Sequence, residues 1–149
     1  MHPESGRYRD FRPVFYVPLA RGRPLGQTGR AADYEYVSGT DEQRALLEAR
    51  ARQVLANSWG VYRELRAAGI SKEVARMNLP LCTFSSLHMT LNPRSLMHLL
   101  SLRTADERSR YLSHPQWETN QVARGMEETL RTRFPWTHTA FNEYGRVAP

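Results

Sequence analysis

The chain has 149 residues, 40% of them hydrophobic and 24% charged, the make-up of one ordinary globular domain and not of a fibrous or disordered chain. Its 21 Lys+Arg against 15 Asp+Glu give a net charge of +6. No apolar run approaches the roughly 18 residues of a membrane span, and the polar start MHPESGRYRDFRP lacks the apolar stretch of a secretory signal. The lone Cys82 excludes an internal disulfide framework and a cysteine-rich zinc site, so a cytoplasmic location is expected.

In chain order, Val14–Val17 between Pro13 and Pro18 reads as a short extended segment. Residues 19–39, with five Gly or Pro positions and little periodicity, read as a mobile loop. Thr40 with Gln43 makes a capping box, and Leu47, Val54, Leu55, Trp59, Tyr62 and Leu65 form the stripe of a long helix over 41–67, stopped at Gly69. Ser71 caps a short helix that ends before Pro80. The partial alternation of Leu81–Leu91 predicts a strand. Asn92-Pro93 then opens a helix to about 103, with Leu96, Leu99, Leu100 and Arg103 on one side. After a polar connection over 104–112, Ser113 and Gln116 predict a second capping box. Val122, Met126 and Leu130 predict the buried stripe of a helix ending before Pro135. Thr137 is expected to cap a last helix, stopped by Gly145. Helices outnumber strands, so the class is mostly helical α+β with a small sheet, in one domain over 1–149.

Chemistry is concentrated between Glu73 and Arg103. There is no GxGxxG, Walker loop, HExxH or GxSxG. His88, His98, His114 and His138 lack metal-ligand spacing, so no metal site is expected. Cys82 reads as a structural thiol. Lys72 is the only lysine, so every other basic residue is an arginine. That bias fits base composition, and the arginines are spread along the chain where a nucleic-acid surface would cluster them with aromatics. A guanidinium fork is nevertheless the better ligand for phosphate or carboxylate. Arg94 and His98 share a helix face at i, i+4, and Arg103, nine residues on, lies on the opposite side, either solvated or reaching into a site.

These residues carry a family likeness. Ala75-Arg76-Met77-Asn78-Leu79-Pro80 followed by Asn92-Pro93-Arg94-Ser95-Leu96-Met97-His98 and on to Arg103 resembles the pattern AR-x-x-LP … N-x-R-S-L-x-N/H-x-L-x-x-R of the flavin-dependent thymidylate synthases. Ser5-Gly6-Arg7-Tyr8, Phe15-Tyr16-Val17-Pro18, Gln116-Trp117-Glu118 and Phe134-Pro135-Trp136-Thr137 resemble further stretches of that family, in order over roughly residues 5–144. The resemblance implies a thymidylate-synthase-complementing-type fold and methylation of dUMP to dTMP, with methylenetetrahydrofolate as carbon donor, NADPH as reductant and FAD as cofactor, in a homotetramer. It implies that Ser5, Gly6, Arg7 and Arg76 hold the nucleotide. Arg103 would lie against the uracil as the catalytic residue, and Asn92, Arg94 and His98 would contact FAD. The family's Arg-His-Arg pattern stands seven residues before the serine matched by Ser5, which has only four residues before it here. The chain therefore reads as the C-terminal part of such an enzyme, complemented by an N-terminal part. The alternatives are a non-catalytic nucleotide-binding remnant and, ranked last, a basic nucleic-acid-binding helical domain.

Overall fold

Thr40 begins the longest element of the computed structural model, which describes residues 2–3, 5–19, 22–30 and 33–148. Its hydroxyl accepts from the Gln43 amide at 3.2 Å while the Gln43 side chain accepts from the Thr40 amide at 2.9 Å. That capping box opens α1 (Asp41–Ala67), and Gly69, at φ 83°, turns the chain out of it. Ahead of α1 are the short strand β1 (His2–Pro3) and the antiparallel hairpin of β2 (Gly26–Arg30) and β3 (Asp33–Val37). After it come α2 (Lys72–Ala75), a 3-10 turn over Arg76–Asn78 and β4 (Leu87–His88). β4 pairs antiparallel with β1 through His2↔His88 and Pro3↔Leu87. The remaining helices are α3 (Pro93–Arg103), α4 (Trp117–Arg133) and α5 (Pro135–Glu143). The mostly helical α+β reading holds. By its contacts the chain divides into two compact units, residues 1–89 and 90–149. No helix among the described residues is long and apolar enough to cross a membrane.

In the first unit the core is aromatic. Phe15 meets Trp59 edge-on at 6.4 Å, and Trp59 stacks on Tyr62 at 5.1 Å, which pins the Val14–Val17 segment to the apolar face of α1. That segment is extended as expected, with the Tyr16 amide donating to the Cys82 carbonyl and Phe84 to that of Val14. In the second unit Met97, Leu100, Ala123, Leu130 and Phe141 form the core where α3, α4 and α5 meet.

Five expectations are corrected. The 19–39 segment holds the β2/β3 hairpin; residues 27–30 and 35–37 of it are exposed, so those positions show no buried face to impose the alternation by which a strand is read. Residues 20, 21, 31 and 32 of that segment lie outside the described residues. Leu81–Leu91 is not one strand: Pro80 starts a turn closed by the Thr83 amide at 3.0 Å, and only the Phe15↔Thr83 bridge and β4 pair. Ser113 caps no helix, because its hydroxyl donates to the Thr104 carbonyl at 2.8 Å and α4 starts at Trp117 without a side-chain cap. Its buried stripe is Ala123, Glu127 and Leu130, while Val122 is exposed. Thr137 lies inside α5, which Pro135 opens from the N1 position.

Candidate functional site

The predicted nucleotide residues of the first unit sit on a turn tied to α2. The Ser5 carbonyl accepts from the Tyr8 and Arg9 amides at 3.1 and 3.2 Å. Gly6 is buried at the bend, where a Cβ would come within 2.1 Å of the Phe11 ring; only glycine lets the chain pass so close. Arg7 projects to solvent, and its Nε lies 3.1 Å from Glu73 Oε1 on α2. The lone lysine closes the second link, with Lys72 Nζ donating to the Tyr8 carbonyl at 3.1 Å and lying 3.3 Å from Asp10 Oδ2. Asp10 also accepts from Arg66 Nε at 2.9 Å and the Tyr62 hydroxyl at 3.1 Å. Those bonds, that from Arg66 foremost, hold its carboxyl below the ordinary value. Desolvation pushes the Tyr62 phenol up, with the Asp10 charge adding to it. Asp10, Tyr62, Arg66 and Lys72 brace this turn, a role the sequence alone did not assign to them. Arg76 follows α2 in the 3-10 turn, half-buried, so the Ser5–Arg7 turn and the Arg76 segment are braced together.

In the second unit α3 displays the rest. Asn92 Oδ1 accepts from the Ser95 amide at 2.8 Å, which confirms the N-cap and does not use the carboxamide NH2. Asn92, Arg94, Ser95 and His98 line one open depression of about 510 Å³ with Ala148, so the three predicted flavin contacts converge. Arg103 does not join them: it is exposed at the far end of α3, roughly 13 Å along the axis from Arg94 at 1.5 Å per residue. It shares the side of the half-buried Leu96 and Leu99, whereas the deeper burial on α3 belongs to Met97 and Leu100. Cys82 is half-buried.

Beside α3 lies a buried charge cluster that was not anticipated. Arg146 is 1% exposed. Its Nη1 donates to Glu127 Oε1 at 2.7 Å and Asn142 Oδ1 at 2.6 Å, its Nη2 to Glu127 Oε2 at 3.0 Å. His138 Nε2 lies 3.1 Å from Glu127 Oε1. Desolvation favours a neutral Glu127, but the bonds from Arg146 and His138 outweigh it and its carboxyl lies below the ordinary value. The only sequence signal was a glutamate at helical spacing between Ala123 and Leu130.

The family model described as thymidylate synthase complementing protein matches residues 1–136. The chain belongs to that family. Within it, the chain is 44% identical over 146 residues to the flavin-dependent thymidylate synthase of Streptomyces coelicolor, covering 98% of this chain and 59% of that one. It is 43% identical, over the same number of residues, to the enzyme of that name from Tropheryma whipplei. Among solved structures, the UMP/dUMP methylase PolB from Streptomyces cacaoi bound with 5-Br UMP superposes with a TM-score of 0.95 at 41% identity, over 99% of this chain and 66% of the other. The same methylase bound with 5-Br dUMP gives 0.91. The family fold expected from the motifs is thus present, and the chain spans about three fifths of the length of the curated relatives it matches.

Proposed function

We propose that the chain provides nucleotide- and flavin-binding surfaces of a flavin-dependent thymidylate synthase, which methylates dUMP to dTMP with methylenetetrahydrofolate as carbon donor and NADPH as reductant. The observation that carries this reading is the likeness to a nucleotide-bound UMP/dUMP methylase at a TM-score of 0.95 in a chain that keeps the Arg76, Asn92–His98 and Arg103 pattern. Ser5, Gly6, Arg7 and Arg76 bind the nucleotide, with the backbone of the turn and two guanidinium groups suited to a phosphate and a uracil carbonyl. Arg103 contacts the uracil and stabilises negative charge developing on the ring, which makes C5 nucleophilic; a permanent cation suits that task.

The donor set around the depression fits FAD. Asn92 offers an amide NH2, Arg94 a fork of N–H donors and His98 a ring nitrogen, and the N-terminus of α3 adds its dipole to an anion. FAD supplies the hydride chemistry, so no protein nucleophile is required. The site assembles as a homotetramer or by complementation with a segment bearing the family's Arg-His-Arg pattern, in the cytoplasm.

Titration of the purified chain with dUMP, followed calorimetrically, tests the nucleotide part. Saturable binding that weakens about 10–100-fold in Arg76→Ala is expected, the loss of one charge-assisted contact. Binding unchanged by Arg76→Ala contradicts the assignment. A flavin absorption band in the purified protein that diminishes in Asn92→Ala and Arg94→Ala is the matching result for FAD.

A further inference from the structure

We propose that the buried Arg146–Glu127 pair, acting through the Thr104 hydroxyl, positions Arg103 at the C-terminal end of α3. The inference rests on the reading of Arg103 as a substrate-contacting residue. It reaches beyond the family match, which ends at residue 136, ten positions before Arg146.

Thr104 is the C-cap of α3 and is fully buried. Its hydroxyl donates to the Leu100 carbonyl at 2.6 Å and accepts from Arg146 Nη2 at 2.9 Å. Its amide donates to the same carbonyl at 3.0 Å, and its own carbonyl accepts from the Ser113 hydroxyl at 2.8 Å. The residue after Arg103 is therefore held from several directions, and the backbone that carries Arg103 has little freedom to unwind. An exposed arginine at a fraying helix end would sample many directions; one whose next residue is anchored presents its guanidinium from a fixed root.

The anchor is itself over-determined. Arg146 bridges α3, α4 and α5 by its bonds to Thr104, Glu127 and Asn142. Asp106 lies 3.5 Å from Nη1, and the guanidinium stands 4.8 Å over the Phe141 ring. Its backbone is held at φ 57°, among the described residues the one non-glycine position at positive φ. Its amide donates to the Phe141 carbonyl at 2.7 Å. A strained conformation persists where the surroundings impose it, and such strain gathers where geometry matters to function.

Amide hydrogen exchange of Arg103 and Thr104, together with dUMP affinity, in Thr104→Val, Thr104→Ser and Arg146→Met tests the proposal. Thr104→Val keeps the shape and removes the hydroxyl, so the protein still folds if Arg146→Met does not. The expected result is at least about tenfold faster exchange at Arg103 and Thr104 in Thr104→Val, with Leu130 in α4 unaffected and Thr104→Ser restoring the slow rate. Thr104→Val should also weaken dUMP binding, and should not do so when Arg103 is already alanine. Wild-type exchange rates in Thr104→Val, or an equal loss of affinity in the Arg103→Ala background, overturn the proposal. A dUMP affinity indifferent to Arg103→Ala alone defeats the underlying reading of Arg103, while the exchange rates still decide whether the network holds this helix end.

Discussion

Arg146 and Glu127 show how one buried pair shapes the second unit. Both charges have left water, and their mutual bonds offset that cost only while both are present. Arg146→Met or Glu127→Ala should each lower stability by about 3–5 kcal/mol, the penalty of an uncompensated buried charge, read as a fall in the urea midpoint. The carboxylates set the acid response. Asp106 is held far below its ordinary value, first by the Arg108 side chain and also by Arg146, and Glu127 and Asp10 are lowered as well. A carboxyl whose folded pKa is depressed adds stability above its unfolded value and loses it as pH falls through the folded one. The melting temperature should therefore hold from pH 7 to about 5 and fall steeply below about pH 4. In Asp106→Asn that acid limb should flatten. A limb as steep as in wild type would show that the Asp106 contacts contribute nothing. Neither Arg146 nor Glu127 was legible in the sequence, because partner choice for a buried ion depends on α4 and the turn after α5 being brought together across 19 positions.

At the scale of elements, legibility followed local rules. The α1 capping box, the Asn92 cap and the Gly69 stop are set by residues within four positions of one another, and all three agree with the sequence reading. Where the outcome depended on strand pairing it was not legible: residues 27–30 and 35–37 of the hairpin are exposed and carry no apolar alternation, and Leu81–Leu91 alternates without a neighbouring strand along its length. The caps carry two predictions. Asn92→Ala should cost about 1 kcal/mol, the usual worth of such a cap, in a urea unfolding curve, and should reduce FAD retention at the same time. Gly69→Ala should cost about 1–2 kcal/mol, since its φ of 83° disfavours any Cβ although nothing lies within 4 Å of one.

At the scale of the whole molecule, two units divide the proposed labour. Residues 1–89 carry the braced Ser5–Arg7 turn with Arg76, and residues 90–149 carry the Asn92 depression and Arg103. The family was legible because its motifs are dispersed through the chain in order. What was not legible is which of those residues meet. The structure gathers Asn92, Arg94 and His98 and links Arg7 to α2, yet holds Arg103 at the opposite end of its helix from Arg94. The arginine excess, ambiguous as bulk charge, resolves into different tasks: Arg146 is buried structure, Arg66 is a brace, and Arg7, Arg76, Arg94 and Arg103 are the proposed ligand contacts. The most direct test of the thymidylate synthase reading is dTMP formation from dUMP. The chain would be produced together with a segment bearing Arg-His-Arg and supplied with FAD, NADPH and methylenetetrahydrofolate. Turnover is expected, falling at least about 100-fold in Arg103→Ala, the scale of removing one preorganised donor to a developing anion. Absence of dTMP, or dTMP formed equally fast without the Arg103 guanidinium, contradicts the thymidylate synthase reading.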